Sequence, residues 1–249
     1  MACFRQAINA VLLCSTFTTT SSAQNVRRVT EKAFRSVVIV ATEDAREHAL
    51  SVGSGFVTMP GYIVTDLHVI DGAARAHARM LGQEEDYDVA GVSALDAYHD
   101  LVILSVPGLS VPVLSLGDSA DVAIGDAVYA IADPKSSKQA FSQGVVCGIR
   151  RAGSDALLQI AAPILPSSSG GPVLDERGDV IAVSSADFLR GQAMNFAIPA
   201  VYLKDLLTHV QKEVTPLSSK ASAPKSPLSR GTGCYLGSTQ SRLKRHSYQ

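Results

Sequence analysis

Apolar residues of the chain are grouped in short runs, and each run is bounded by Gly, Pro, Asp or Ser. Short runs rich in Val and Ile between such residues are typical of β-strands joined by turns. We predict strands at Ser36–Ala41, Leu50–Met59, Tyr62–Thr65, Ala76–Met80, Asp88–Ser93, Leu101–Val106, Ala127–Ile131, Phe141–Arg150, Ala156–Ala161, Pro172–Asp175 and Val180–Ser185. Since no long helical pattern separates them, the sequence predicts an all-β barrel or sandwich.

Two segments have helical spacing instead. Charged residues separate the apolar positions between Val26 and Phe34, which predicts a short amphipathic helix. Five apolar side chains fall on one face of Ala200–Lys212, which predicts a second helix there. Beyond Thr215 the chain is rich in Ser, Lys, Pro and Gly, so residues 214–249 are expected to be a disordered tail.

The first 23 residues have the pattern of a signal peptide. Arg5 precedes an apolar stretch over residues 7–14, and small residues at Ser21 and Ala23 suit cleavage before Gln24. The alternative is a short buried helix, which the Thr/Ser run at residues 18–22 is expected to break. The sequence therefore predicts an exported protein, periplasmic or secreted, with its main domain over residues 24–213. No apolar run is long enough for a transmembrane segment.

Composition and charge exclude several classes of protein and of binding partner. Hydrophobic residues make up 46% of the chain, which indicates a globular protein. Residues 24–213 contain 15 basic and 23 acidic side chains, so no nucleic acid partner is expected. The tail contains six basic and no acidic residues, which fits either contact with anionic surfaces or plain solubility. Cys147 and Cys234 remain after signal cleavage, and an oxidising compartment permits a disulfide bond between them without requiring it.

Three short motifs carry candidate chemistry. His68 ends the hairpin-like segment 53–70, Asp100 stands directly before an apolar strand, and Ser169 lies in the turn Ser167-Ser168-Ser169-Gly170-Gly171. Acyl transfer needs these three side chains, because a Ser hydroxyl attacks only when an imidazole takes its proton and a carboxylate orients that imidazole. Amide N–H groups around such a Ser can bind the developing oxyanion. The order His, Asp, Ser therefore predicts a serine hydrolase.

At these residues, and at four further motifs, the chain resembles the HtrA/Deg group of trypsin-like, chymotrypsin-fold serine proteases. The likeness extends over about Val29 to Leu207, and the further motifs are Leu116–Ser119, Ile124–Asp126, Gln143–Val146 and Asn195–Pro199. The resemblance implies two six-stranded β-barrels with an active site between them. It implies polypeptide substrates, no cofactor, no metal and a homo-oligomer, a trimer in many family members.

The resemblance also implies a role for each site residue. His68 is the expected general base, Asp100 its orienting acid and Ser169 the nucleophile. The backbone amides of Ser167, Ser168 and Ser169 are the expected oxyanion hole. The expected substrate-binding residues are small or apolar, which favours aliphatic substrate side chains; they are Leu165, Val183, Ser184, Ser185 and Ala186.

The sequence departs from the family pattern at several positions. Ser167 replaces a Gly that is usual two residues before the nucleophile, and Ala161 replaces an Asp. A side chain at 167 costs about 1–2 kcal/mol if the loop needs a positive φ there, so the oxyanion hole is expected to be collapsed before substrate binds, or permanently poor. Ser168 replaces the acid that trypsin-type zymogen activation uses, and no PDZ domain is expected after Leu207.

Several alternatives stay open at this point. Asp96 competes with Asp100 as the acid, whereas His99 is expected to point away from Asp100. The acidic run 84–88 fits a solvated loop better than a cation site. The main hypothesis is an exported serine endopeptidase that hydrolyses unfolded or damaged proteins. The alternative is a pseudo-protease that binds peptides but has a poor oxyanion hole. The remaining histidines, expected to be solvated, are His48, His77, His209 and His246.

Overall fold

A computed structural model describes residues 18–132, 140–152, 154–164, 166–185 and 195–217. Helix α1 covers Thr18–Phe34 and helix α2 covers Ala200–Leu207. The strands are β1 (Val37–Glu43), β2 (Ala49–Met59), β3 (Tyr62–Asp66), β4 (Arg75–Met80), β5 (Asp86–Asp88), β6 (Gly91–Asp96), β7 (Leu101–Ser105), β8 (Ala127–Ala132), β9 (Ala140–Ala152), β10 (Asp155–Ile160), β11 (Pro172–Leu174), β12 (Val180–Ser185) and β13 (Asn195–Pro199). Two 3-10 turns cover Leu67–Ile70 and Pro166–Ser168.

The strands form two antiparallel units. Strands β1 to β7 make a seven-stranded sheet in the order β5-β4-β1-β2-β3-β7-β6, and β8 to β13 close into a six-stranded barrel. The predicted all-β class with a six-stranded barrel is confirmed. The amino-terminal unit differs in detail from the expected six-stranded barrel, because it has seven strands and its end strands β5 and β6 are not paired with each other.

Buried aliphatic side chains fill both units. The largest cluster lies between them and includes Phe56 and Ile103 of the sheet together with Ile131 and Ile198 of the barrel. A second cluster belongs to the sheet and a third to the barrel. Because the two units share one core, the junction between them is fixed. The residues of the predicted site lie along this junction.

Four elements differ from the sequence prediction. The predicted strand 88–93 is two strands, β5 and β6, which pair with different neighbours. Strand β13 was not predicted; it lies between β10 and β12. Helix α1 begins at Thr18 instead of Val26, so the Thr/Ser run continues the helix rather than breaking it. Helix α2 ends at Leu207, five residues before the predicted end.

The segment after α2 returns to the amino-terminal sheet. Thr215 pairs with Val92 of β6, and the two residues exchange both backbone hydrogen bonds at 2.8 Å. Leu217 is buried in the core of that sheet. The described chain thus ends with a segment that covers part of the β6 edge. Within the described ranges, no helix combines the length and apolar character that a membrane crossing requires.

Candidate active site

His68 lies in the 3-10 turn that follows β3, and it is bonded directly to Asp100. The Nδ1 atom of His68 is 2.6 Å from Oδ2 of Asp100, and the backbone N–H of His68 donates to Oδ1 at 2.9 Å. The side chains are 28% and 16% exposed, so the pair lies at the edge of the core. Two bonds to one carboxylate fix both the ring and the backbone of His68, which sets the tautomer with hydrogen on Nδ1.

Strand pairing explains why residues far apart in sequence meet here. Asp66 at the end of β3 pairs with Leu101 at the start of β7, and the Leu67 N–H donates to the Asp100 carbonyl at 2.8 Å. Asp100 has a φ of +60°, a conformation that Asp tolerates better than most side chains. Asp96, the competing acid, instead contacts His99, with Oδ2 2.5 Å from Nδ1. Asp100, and not Asp96, is therefore the carboxylate that is hydrogen-bonded to His68.

Ser169 lies between the second 3-10 turn and β11, in a segment that we call the serine loop (residues 166–171). Its carbonyl accepts a hydrogen bond from the Ser54 N–H of β2 at 2.8 Å. Gly170 has a φ of +85°, and a Cβ atom there would lie 2.2 Å from Thr65 Oγ1 and 2.3 Å from the Ser54 carbonyl. The serine loop is therefore held tightly against β2 and the end of β3, the strand that leads into His68.

The three amides of the predicted oxyanion hole belong to the serine loop. The Ser167 carbonyl accepts from Ser54 Oγ at 2.8 Å, and the Ser168 carbonyl accepts from Ser184 Oγ at 2.5 Å. Pro166–Ser168 form a 3-10 turn, a geometry in which an amide N–H points to the carbonyl three residues earlier. Among the described residues, positive φ outside glycine occurs at Glu47 and Asp100, so Ser167 has a negative φ. The donors that such a turn engages are those at its carboxyl end, whereas the Ser167 N–H lies at its start.

The predicted substrate-binding residues differ in their burial and in their backbone contacts. Val183 is fully buried in the shared core, and the backbone N–H and C=O of Ser184 bond to Gly171 and Gly170 at 2.8 Å. As the structure stands, the serine loop uses both backbone groups of Ser184, and Val183 pairs with Pro172 of β11 and Ile198 of β13. Ser185 is buried at the end of β12. Leu165 and Ala186 lie outside the described residues.

The other sequence candidates are distributed over the surface. His48 and His77 are each within reach of one Asp side chain, Asp44 and Asp88, and His209 contacts its own helix end. In the acidic run 84–88, Asp86 is paired with Arg79 at 2.6 Å, which fits a solvated loop. Cys147 is a free, exposed thiol. Cys234 and His246 lie outside the described residues.

Sequence reasoning missed one residue of the site, Asp66. Its side chain is fully buried, and its Oδ2 atom is 3.9 Å from Nδ1 of His68. Burial raises the pKa of Asp66 well above its usual value, and Asp100 adds to this, whereas His68, Ser185 and Gly170 oppose it. Its only signal in the sequence is an acid at the end of an apolar strand, two residues before the His.

Asp66, His68 and Asp100 also group three potential metal ligands within 4.8 Å. A metal ion lies about 2.0–2.2 Å from each nitrogen or oxygen ligand, so it needs more space between two donors than a hydrogen bond does. The 2.6 Å separation of His68 Nδ1 and Asp100 Oδ2 fits a direct hydrogen bond. The chemistry that this arrangement supports is proton transfer through the imidazole.

Comparison with known proteins agrees with this geometry. Residues 53–183 match the model of the trypsin-like peptidase domain. A DegP-like periplasmic serine endoprotease of Pseudomonas fluorescens is 34% identical over 164 residues, which cover 63% of this chain and 34% of that protein. The serine protease HhoA of Synechocystis is 31% identical over 159 residues, 59% of this chain and 40% of that protein. The chain thus spans about a third of the length of the curated relatives it matches.

Solved structures give the same result for the fold. The HtrA-type protease AlgW, solved with a tripeptide, superposes with a TM-score of 0.65 at 24% identity, over 72% of this chain and 61% of AlgW. Deg5 superposes with a TM-score of 0.63 at 29% identity, over 74% of this chain and 92% of Deg5. The periplasmic names of several relatives agree with the predicted export.

Proposed function

Since the chain belongs to the trypsin-like peptidase family, with HtrA and Deg proteases among its relatives, we propose that it is an exported serine endopeptidase with His68, Asp100 and Ser169 as its catalytic triad. The observation that carries the proposal is the 2.6 Å bond between His68 Nδ1 and Asp100 Oδ2. The carboxylate of Asp100 orients the imidazole, and the serine loop packs beside the end of β3, the strand that leads into His68.

In the proposed mechanism, each residue of the triad has one role in each step. His68 Nε2 takes the proton of Ser169 Oγ as this oxygen attacks the scissile carbonyl, and it then gives the proton to the leaving amine. Asp100 stabilises the imidazolium between these transfers. Water activated by the same imidazole hydrolyses the acyl-enzyme. Amides of the serine loop bind the oxyanion, and one such donor typically contributes about 2.7–4 kcal/mol to transition-state stabilisation.

The proposed substrates are unfolded or damaged proteins of the periplasm. Two features support this: curated relatives are named periplasmic serine endoproteases, and the signal-peptide pattern indicates export. A buried Ser185 and short neighbouring side chains fit small aliphatic substrate residues. Homo-oligomerisation and a surface role for the basic tail stay predictions from the sequence.

Hydrolysis of casein tests the proposal. The full-length protein is expected to cleave casein, and Ser169→Ala and His68→Ala are each expected to lose this activity by at least a thousandfold. Cleavage by purified Ser169→Ala at the wild-type rate would show that the casein hydrolysis does not come from Ser169 and would contradict its proposed role.

A peptide-binding pseudo-protease is the second candidate, and one observation favours it. Ser167 has a side chain and a negative φ within the 3-10 turn, so its loop must rearrange before its amides can bind an oxyanion. A pseudo-protease would bind unfolded peptides without releasing products over hours. Turnover of the same peptides by the wild-type protein would exclude this candidate.

A further inference from the structure

Asp66 is a buried carboxyl group that the triad mechanism does not use. It ends β3 with no exposed surface, and neither of its oxygens has a hydrogen-bond partner within the described part of the chain. Gly170 lies close against the backbone of Asp66, because a Cβ atom on Gly170 would lie 2.8 Å from the Asp66 backbone nitrogen. A buried carboxylate without partners is costly, so this side chain requires an explanation.

Two titratable groups of the described chain lie near Asp66. His68 in the adjacent 3-10 turn has Nδ1 3.9 Å from Asp66 Oδ2, and Asp100 in the β6–β7 loop contacts the same nitrogen at 2.6 Å. From β12 the nearest group is the Ser185 hydroxyl, and from the serine loop it is the Gly170 amide, which donates to the Ser184 carbonyl. One imidazole nitrogen thus faces two carboxyl groups, of which only Asp100 is hydrogen bonded.

Two carboxylates this close to one nitrogen do not ionise together at low cost. Asp100 has two hydrogen bonds and partial exposure, which stabilise an anion, whereas Asp66 has no exposed surface, and burial raises its pKa more than Ser185 and Gly170 lower it. The proton therefore stays on Asp66 while Asp100 carries the charge. Burial of Asp66 is the largest cause of its raised pKa, which agrees with this assignment.

We propose that Asp66 is a positioning residue for His68: a neutral carboxyl in the resting site that places a second negative charge beside the imidazole when it loses its proton. The inference rests on the proposed function for its effect on catalysis. In the neutral form, Asp100 alone orients the ring. In the ionised form, two anions compete for Nδ1–H, and the imidazolium is held more strongly, which slows proton transfer to the leaving group. Asp66 thereby gives the site a second pH dependence.

The first experiment is an NMR titration of the His68 ring in Ser169→Ala protein, which needs no catalytic activity. With Asp66 present, the ring resonances of His68 are expected to show two inflections, one from His68 and one from Asp66. The additional change Asp66→Asn keeps the shape and removes the charge, so one inflection is expected. Asp88→Asn, which removes an exposed carboxyl beside His77, is the matched control and is expected to keep both inflections. A single inflection with Asp66 present would overturn the inference.

A second measurement does not depend on the folding of the variant. In protein labelled with 13C at the Asp carboxyl carbons, one resonance is expected to titrate well above those of the exposed aspartates. If every resolved Asp carboxyl in the folded protein titrates in the ordinary range, the inference is wrong.

The pH profile of kcat/KM connects the inference to catalysis. Wild type is expected to lose activity on an alkaline limb that Asp66→Asn lacks, and a merely structural role for Asp66 would lower activity equally at every pH. Identical profiles for the two proteins would overturn the role of Asp66 and leave the triad intact. A wild-type protein without activity would contradict the proposed function instead, while the NMR result would still stand.

Discussion

Gly170 shows how a single residue sets the position of Ser169, the proposed nucleophile. Its φ of +85° favours glycine, and its Cα faces Thr65 Oγ1 and the Ser54 carbonyl too closely for a side chain. The residue therefore serves two purposes, because it turns the backbone after Ser169 and lets the serine loop approach β2 and β3. Both requirements must be met for the loop to stay beside His68.

Gly170→Ala is expected to lower the free energy of unfolding by about 2–4 kcal/mol and to reduce activity at least a hundredfold, since the serine loop must move away from β2. Urea unfolding followed by circular dichroism and peptide hydrolysis measure the two effects. Gly72→Ala is the matched control: its φ is +75° but no atom lies within 4 Å of the added Cβ. The control is expected to lose about 1 kcal/mol from backbone strain alone and to keep its activity. Equal losses in the two variants would contradict the packing argument.

Asp66 also predicts a pH dependence of stability. Its pKa is raised by folding, so its contribution to stability is fully present below the ordinary Asp pKa and is lost as pH rises through the raised value. Asp66→Asn has no such loss. Its free energy of unfolding relative to wild type is therefore expected to increase from pH 4 to pH 8, by about 1.4 kcal/mol for each tenfold change in proton affinity.

Asp86→Asn is a control whose pH dependence has the opposite sign and lies at lower pH. A hydrogen bond from Arg79 lowers the pKa of Asp86, so the stability that its carboxylate contributes is present above the ordinary Asp pKa and is lost as pH falls below it, while the difference from Asp86→Asn is expected to stay constant from pH 4 to pH 8. Urea unfolding at several pH values measures both differences. A constant difference between Asp66→Asn and wild type from pH 4 to pH 8 would contradict a raised pKa at Asp66.

At the residue scale, the sequence predicted those site residues that stand in a recognisable local motif. His68, Asp100 and Ser169 stand in short segments with distinctive neighbours, and the structure brings His68 and Asp100 into contact. Asp66 was missed because nothing local distinguishes a buried acid from a turn residue. Its meaning depends on Gly170 and Ser185, which are more than 100 residues away in the sequence.

At the scale of elements, the turn residues that bound each apolar run gave the positions of most strands correctly. The strands that were missed or divided depend on pairing with distant strands. Strand β13 was missed because its short apolar core lies between Asn195 and Pro199, and it is a strand because β10 and β12 both pair with it. Predicted strand 88–93 is divided at Val89 and Ala90, whose N–H groups donate to Ala76 and Ser105 on different strands. Partner strands cannot be identified from one segment alone.

We expect catalytic efficiency to depend on the 3-10 turn at Pro166–Ser168, which contains the proposed oxyanion-hole residue Ser167. Ser167→Gly is expected to raise kcat/KM about 5- to 30-fold, because glycine removes the cost of about 1–2 kcal/mol that a side chain imposes on a positive φ. Steady-state peptide hydrolysis measures the effect. Ser110→Gly, in an exposed loop, is the matched control and is expected to have wild-type kinetics. An activity loss in Ser167→Gly would indicate that the present turn is already the active form.

At the scale of the whole molecule, His99 joins the amino-terminal sheet to the barrel. Its ring contacts Asp96 of β6 at 2.5 Å, lies 3.6 Å from Asp155 of β10, and stacks on Tyr202 of α2 at 3.7 Å between ring centroids. Tyr98 donates to Asp155 across the same junction at 2.7 Å. Because His99 directly precedes Asp100, this junction also anchors the loop that orients His68.

His99→Ala is expected to lower the free energy of unfolding by about 1–3 kcal/mol, since a hydrogen bond and the stacked contact at the junction are lost. Unfolding is followed by circular dichroism, because the chain contains no Trp. His48→Ala removes an exposed pair with Asp44 and is expected to change stability by less than about 0.5 kcal/mol. Equal losses of unfolding free energy in the two variants would show that the contacts of His99 stabilise the protein no more than an exposed ion pair does.

The central claim is that the folded chain activates Ser169 through His68. The most direct test is mass spectrometry of the full-length protein after reaction with a fluorophosphonate, which bonds covalently to an activated serine. We expect a single adduct on the peptide containing Ser169, and no adduct in His68→Ala or in urea-unfolded protein. A folded wild-type protein in which Ser169 stays unlabelled, with and without a peptide substrate present, would contradict the claim.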